Sequence, residues 1–273
     1  MDSEGVIEAV FGVPRALIGV LHLDALPGTP NGGNTIDAIV QRAVAEGRVL
    51  HEVGFHGLLI ENMHDRPYLK RVVGPEVTAS MAVVGREVRN RVPLPLGVQI
   101  LAGANREALA VAQAAGAEFV RVEGFAFAHI ADEGLIESDA GELLRYRVAI
   151  AAENIAVFAD IKKKHSAHTL TSDIDLVETA RAAEFFLADG VVVTGTSTGR
   201  ATDINDVDAV SQAVSVPTLV GSGITPENMA EYASADALIV GSSLKSGGLW
   251  SNPLEPRRAM LLAEAFATAS QTN

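Results

Sequence analysis

The chain has 273 residues, 48% of them hydrophobic but only 5% aromatic, so it can fill one large core, and Val, Ile, Leu and Ala must do the filling. It has no cysteine, which excludes disulfides, thiolate nucleophiles and Cys-ligated metal centres. A net charge of −13 argues against the basic face that general nucleic-acid binding needs.

The first fourteen residues are acidic and weakly patterned, and they read as an N-terminal extension (1–14) before one domain over 15–273. They lack the basic start and apolar stretch of a secretory signal. No uncharged apolar run reaches the length of a membrane span. The expected location is the cytoplasm, without membrane insertion. Eight short runs rich in Val, Ile and Leu follow, at 16–21, 57–60, 94–101, 118–122, 155–161, 190–194, 217–221 and 237–241. They mostly do not alternate with polar residues, as expected of strands buried on both faces. Helical patterns lie after them at 35–53, 75–91, 105–115, 140–153, 173–188, 203–214, 226–233 and 254–269. Thr35, Ser172 and Thr202 are candidate caps, and Thr225-Pro226 reads as a cap and first-turn proline. Eight strands alternating with eight helices predict a single (β/α)₈ barrel of the TIM type. An open doubly wound sheet is the alternative, weakened by the lack of a G-x-G-x-x-G after the first strand.

Barrel chemistry collects in the loops after strands. Of five lysines, Lys162, Lys163 and Lys164 follow the fifth strand and Lys245 the eighth. Five of seven histidines, His22, His64, His129, His165 and His168, also follow strands. Within Asp160–His165 a strand-end carboxylate can orient a neighbouring imidazole or ammonium and set its pKa. By strand alternation Lys162 and Lys164 would share a face with Asp160, were the strand to continue that far. Gly221-Ser222-Gly223 after the seventh strand and Gly241-Ser242-Ser243 after the eighth stand where this fold usually binds phosphate. Glu61-Asn62 ends the second strand, and Arg121 and Glu123 close the fourth. Their carboxylates suit a general base, a metal ligand or an ion pair with Arg121. A metal cluster of His22, Glu61, Asp160 and His165 is a weaker alternative, and no metal or cofactor is assigned. Gly195-Thr196-Ser197-Thr198-Gly199 matches the G-x-S-x-G elbow of hydrolases, but no histidine occurs after His168 to serve as its base. Thr194 and Thr198 are read instead as part of a substrate loop.

These segments together resemble the BtpA/SgcQ family over nearly the whole chain. The resemblance is carried by Ile18-Gly19-Val20-Leu21-His22-Leu23 with Leu26-Pro27-Gly28, and by Glu61-Asn62 with Asp65 and Pro67. It continues through Arg121, Gly134 and Tyr146-Arg147 to Ala159-Asp160-Ile161 with Lys164-His165. Thr194-Gly195 with Thr198-Gly199, Gly221-Ser222-Gly223 with Glu227-Asn228, and Val240-Gly241 with Lys245 complete it. Glu123 and His168 depart from the pattern, where a smaller or amide side chain and a proline are expected. The resemblance implies a barrel and a protein named either for photosystem I biogenesis or as an aldolase-like, phosphate-sugar enzyme. It favours Lys164 over its neighbours, because that lysine abuts His165.

The expected activity is proton transfer or carbon–carbon lysis on a phosphorylated small molecule, a sugar phosphate or nucleotide-like compound, by a lyase or isomerase. Asp160, Lys164, His165 and Glu61 are expected to be catalytic, with Lys164 the Schiff-base or electrophilic lysine. His22, Asn62, Arg121, Thr194, Thr198 and Lys245 are expected to bind substrate, and Gly221, Ser222, Gly223, Gly241 and Ser242 its phosphate. The rival is a non-catalytic assembly or stability factor for a membrane complex. Leu249, Trp250 and Leu254 near the end of the chain point to a homo-oligomer.

Overall fold

The computed structural model describes residues 3–163, 165–195 and 201–271. In chain order the strands are β1 Ala16–His22, β2 Gly57–Glu61, β3 Leu96–Gln99, β4 Phe119–Val122, β5 His129–Ala131, β6 Gly134–Ile136, β7 Ala156–Ile161, β8 Ser166–Ala167, β9 Gly190–Val193, β10 Thr218–Val220 and β11 Ala237–Val240. Eight of them close into a parallel barrel in the order β1-β11-β10-β9-β7-β4-β3-β2. The ring closes where Ala16 pairs with Ala237. The helices are α1 Ser3–Phe11, α2 Ile36–Val53, α3 Pro75–Arg91, α4 Asn105–Ala115, α5 Ala140–Ala149, α6 Leu176–Phe185, α7 Ile204–Ala213 and α8 Pro256–Gln271. The chain is a (β/α)₈ barrel. Among the described residues no helix is long and apolar enough to cross a membrane.

Strand alternation sorts the core into two sets. Ala16, Ile18, Val20, Leu59, Phe119, Ala156, Phe158, Val192, Leu219, Ala237 and Ile239 fill the barrel interior. The residues between them, such as Leu17, Leu58, Val120, Val157, Val191 and Leu238, pack against the surrounding helices. Burying both faces is why the strands read as near-continuous apolar runs. Helix α1 is not patterned strongly enough to be legible in sequence, yet Ile7 and Phe11 join the inner cluster. Phe11 meets Phe119 edge-on at 5.4 Å, and Phe119 meets Phe158 at 5.5 Å. The extension thus packs into the barrel interior, against the starts of the strands.

Local chemistry moves some helix starts. Thr35 caps α2 as expected, accepting from Ala38 N. Helices α6 and α7 begin later than Ser172 and Thr202, because the carboxylates of Asp175 and Asp203 accept from Glu178 N and Asn205 N. The Thr202 hydroxyl donates instead to the Ser222 carbonyl. After β10 the expected helix is only a 3₁₀ turn, Met229–Tyr232. Asn228 there is occupied in bracing the preceding loop, and the Tyr232 hydroxyl is tied to the Thr202 carbonyl at 2.7 Å.

A small antiparallel sheet, β6-β5-β8, joins the loop after β4 to the loop after β7. Ile130 pairs with Ala167 and Ala131 with Ser166. This flap brings the β5–β6 turn, Asp132 and Glu133, over the barrel mouth next to Lys163.

Candidate active site

The inward register continues past the apolar layers into a ring of mostly polar and ionisable side chains. His22 follows Val20 on β1, Glu61 follows Leu59 on β2, Arg121 follows Phe119 on β4, and Asp160 follows Phe158 on β7, each two residues on. The same spacing places Thr194 after Val192, Gly221 after Leu219 and Gly241 after Ile239. Above the ring lies a cavity of about 300 Å³ at the carboxyl ends of the strands. His22, Glu61, Gln99, Arg121, Glu123, Lys163, Gly221–Gly223 and Gly241–Ser243 all contribute to its wall.

Arg121 and Asp160 form a bidentate pair, with Nε to Oδ1 at 2.9 Å and Nη2 to Oδ2 at 3.1 Å. Both side chains are almost wholly buried. Asp160 is therefore engaged in holding Arg121, and its other face meets a small pocket with His129 and His168.

Among the described residues Lys163 is the lysine that enters the cavity. Its Nζ lies 3.0 Å from Glu123 Oε2 and 3.8 Å from Glu133 Oε2. Burial alone would lower its pKa, but Glu123, Glu133 and Asp160 outweigh burial and the net shift is upward. Lys162 takes φ +46, which ends the strand register, and its ammonium donates to the Ile174 carbonyl. The alternation that put Lys162 with Asp160 stops at Ile161, the last residue of β7. Lys164, the expected catalytic lysine, and Thr198 lie outside the described residues. His165, at φ +55, is exposed at the cavity rim.

His22 Nδ1 lies 3.0 Å from the Trp250 carbonyl, which can only accept, so Nδ1 carries the proton. Nε2 lies 3.9 Å from Glu61 Oε2. A Cβ at Gly241 would stand 3.1 Å from that Nε2, so the glycine makes room for the ring. Trp250 forms part of the cavity wall with Tyr68, and the Arg66 guanidinium stacks on it at 4.7 Å. Neither Arg66 nor Tyr68 was legible as a site residue.

The two Gly-rich loops are braced against each other. Asn228 Oδ1 accepts from Thr225 N at 2.8 Å, and its Nδ2 donates to the Gly223 carbonyl at 2.9 Å. The Ser243 hydroxyl donates to the Ile224 carbonyl and ties the second loop to the first. Ser222 Oγ accepts from Gly195 N at 2.7 Å. The Gly221 amide already donates to the Val193 carbonyl, so Gly221 contributes clearance.

Two expected binders stand elsewhere, and a third points inward without lining the cavity. Asn62 is buried with its Oδ1 on Leu101 N and its Nδ2 on Asp65, which in turn holds Leu26 N; it fixes the loop after β1 and does not line the cavity. Lys245 is 1% exposed and pairs with Glu46 of α2 at 2.7 Å. It is a structural cation, because the chain turns after β11 and sends it outward to α2. Thr194 points inward beside Gly221, with its hydroxyl buried and unpartnered. Two of the three apolar residues expected at an interface also face inward: Trp250 lines the cavity and Leu254 packs on the core.

Arg71 is a further residue that sequence reasoning missed. It donates to the carbonyls of Gly103, Glu123, Gly124 and Glu137 and pairs with Asp139 at 2.7 Å. Asn105 adds bonds to the Glu123 backbone, so the acid of the Lys163 pair is rigidly seated. Among the described residues no group of three or more His, Asp or Glu is arranged to hold a metal ion.

A sequence profile of the BtpA family matches residues 13–268. A mitochondrial protein of Caenorhabditis elegans is 46% identical over 265 residues, 94% of this chain and 95% of that one. The photosystem I biogenesis protein BtpA of Synechocystis sp. is 34% identical over 259 residues, 94% of this chain and 90% of that one. Thiamine phosphate pyrophosphorylase from Pyrococcus furiosus superposes with a TM-score of 0.59 over 97% of this chain and 98% of its own, at 14% identity, a likeness of fold alone. With a profile match over most of its length and such relatives over nine-tenths of it, the chain belongs to the BtpA family.

Proposed function

We propose that the chain is an enzyme that takes a phosphorylated small molecule into the barrel-mouth cavity and moves a proton on it. It acts as an isomerase or, where the proton movement breaks a carbon–carbon bond, as an aldolase-like lyase. One observation carries this reading: the two braced Gly-rich loops and the ring of ionisable side chains share a single cavity. Ser222, Gly223, Gly241 and Ser242 would receive the phosphate, in the place where barrels of this type usually hold one. His22, with its proton fixed on Nδ1, presents Nε2 near Glu61 as an acid–base pair. Arg121 and Lys163 would stabilise negative charge developing on the substrate's carbonyl oxygen. Asp160 is a positioning residue, because its carboxylate is spent on Arg121.

The rival, an assembly factor, rests on the name of the Synechocystis relative. A scaffold needs no ionisable ring inside a cavity, and the relatives include an animal protein. The proposed compartment is the cytoplasm, although that animal relative is called mitochondrial. The test is a thermal-shift screen of phosphorylated metabolites, followed by turnover assays on those that stabilise. A ligand present at a hundred times its Kd adds about 2.7 kcal/mol, so binders stand out. Loss of the shift in His22→Ala or Arg121→Met is expected. No shift with any phosphorylated compound, inorganic phosphate included, would overturn the reading.

A further inference from the structure

The cavity wall facing the Gly-rich loops carries hydrogen-bond acceptors that the chain does not satisfy. The ring order places β3 directly across the mouth from β10, and β4 across from β11. Gln99 ends β3, so it faces the loop that begins at Gly221. Glu123 follows β4 and faces the loop that begins at Gly241. Gln99 is 2% exposed, and its Oε1 is buried without a partner. Its Nε2 donates to Glu123 Oε1 at 3.3 Å, which fixes the amide, because the flipped amide would set two acceptors against each other. Glu133 Oε2, brought over the mouth by the β5–β6 turn, is also buried without a hydrogen bond, 3.8 Å from Lys163. Glu123 Oε2 has Lys163 at 3.0 Å as its ion-pair partner.

Buried polar groups are normally satisfied, and an orphaned one costs about 1–3 kcal/mol. An amide oxygen and carboxylates accept and do not donate. A ligand that recovers this cost must bring donors to the β3–β4 side. A second anion there would meet the Gln99 oxygen and the carboxylates of Glu123 and Glu133, with the nearby Lys163 ammonium already paired to both carboxylates.

We infer that the substrate is two-ended: its phosphate lies at the β10 and β11 loops, and its other end carries hydrogen-bond donors, hydroxyls or an ammonium, taken by Gln99, Glu123 and Glu133. The inference rests on the phosphate reading of the Gly-rich loops and goes beyond it by specifying the far end. It selects polyol and amino-sugar phosphates and rejects phosphorylated sugar acids.

The test is calorimetric titration of the intact protein with four probes: inorganic phosphate, glucose 6-phosphate, glucosamine 6-phosphate and 6-phosphogluconate. The quantity read is each sugar's affinity divided by that of inorganic phosphate, which cancels any partial misfolding of a variant. For glucose 6-phosphate the ratio is expected to reach about tenfold or more, and for 6-phosphogluconate to fall well below it, tenfold being 1.4 kcal/mol. A glucosamine 6-phosphate ratio above that of glucose 6-phosphate identifies an ammonium end, and an equal ratio identifies hydroxyls; either supports the inference. Gln99→Leu and Glu133→Leu, tested separately, should each drive the glucose 6-phosphate ratio toward one. If inorganic phosphate binds but 6-phosphogluconate binds as tightly as glucose 6-phosphate, or both variants keep the wild-type ratio, the donor-end inference is overturned and the phosphate reading stands. If inorganic phosphate and all three sugars fail to bind, both are overturned.

Discussion

Arg121 lies against Gly221: a Cβ at that glycine would stand 2.9 Å from the guanidinium Nη2 and 2.6 Å from Val192 Cγ1. Arg121 is rooted on β4, yet it reaches past β7 and β9 to the loop after β10. Asp160, on β7 between them, grips it with two hydrogen bonds on the way. A cation is thereby fixed beside the proposed phosphate loop. Gly221→Ala is expected to cost about 1–3 kcal/mol by overpacking. Asp160→Asn leaves a buried guanidinium without its counter-charge and is expected to cost about 3–5 kcal/mol. Urea denaturation midpoints read both, and wild-type midpoints would show that neither contact is under constraint.

Lys163 is expected to remain an ammonium in the cavity. Its pKa is raised because the neighbouring carboxylates outweigh burial. Its stabilising share is therefore complete below the ordinary value of 10.5 and is lost only as pH climbs through the raised folded value. An ammonium cannot form a Schiff base, so borohydride with a carbonyl substrate at neutral pH should leave Lys163 unmodified. A reduced adduct mapped to Lys163 would reverse its assignment from electrostatic stabiliser to nucleophile.

Lys245 illustrates a different outcome. Its burial against Glu46 implies that Glu46→Gln will destabilise the fold by about 3–5 kcal/mol, since one charge is left buried and unpaired. Replacing both by apolar residues, as in Glu46→Leu with Lys245→Met, should recover most of that loss. Phosphate affinity should stay unchanged in the double variant. A specific fall in that affinity, with the fold intact, would return Lys245 to the ligand site.

The barrel was legible because its strands are buried on both faces, so eight Val- and Ile-rich runs announce themselves. The ring was partly legible by the same alternation, which places His22, Glu61, Arg121 and Asp160 inward. What alternation cannot give is the chain beyond a strand end. Positive φ at Lys162 breaks the register, and Lys163 lines the cavity. Lys245 turns outward to α2 for the same kind of reason. Gln99 sits on an inward position of β3, but an amide amid apolar residues carries no motif. Arg71 and Glu133 act through contacts between loops far apart in sequence, which no local pattern encodes.

His129 supplies a pH test of the flap. It is buried on β5 with Nε2 unpartnered, and burial, aided by the nearby Lys163 charge, lowers its pKa from 6.5 to about 4. A depressed histidine favours the fold above its unfolded value, and that advantage is lost as pH falls from 6.5 toward 4. Asp139 works the other way: burial raises it from 3.8 to about 6, so acidification across that window favours the fold. A comparison of wild type with His129→Gln cancels the Asp139 contribution. The gap between their melting temperatures is expected to narrow between pH 7 and pH 4. A gap that stays constant across the window would mean that His129 titrates normally in the fold.

An apolar surface open to a partner lies at the end of α6. Phe185 is 80% exposed, Phe186 46% and Leu187 72%, and Val148 at the end of α5 is 62% exposed. Arg147, next to Val148, pairs with Asp189 at 3.0 Å, which ties the end of α5 to the segment between α6 and β9. Glu178, Arg181 and Glu184 border Phe185 and Phe186, so the rim carries both signs of charge. A mixed rim around an apolar centre suits a two-fold contact, in which each copy offers its acid to the other's base. The expected assembly is therefore a homo-oligomer through this surface rather than through Trp250 and Leu254. The carboxyl ends of barrel helices lie toward the amino ends of the strands, away from the cavity, so assembly leaves the mouth open. Light scattering should give a mass above the 28.6 kDa chain. Phe185→Glu with Leu187→Glu should return the protein to that single-chain mass without altering phosphate affinity. A wild-type protein that scatters as a clean 28.6 kDa species at working concentration would end the proposal.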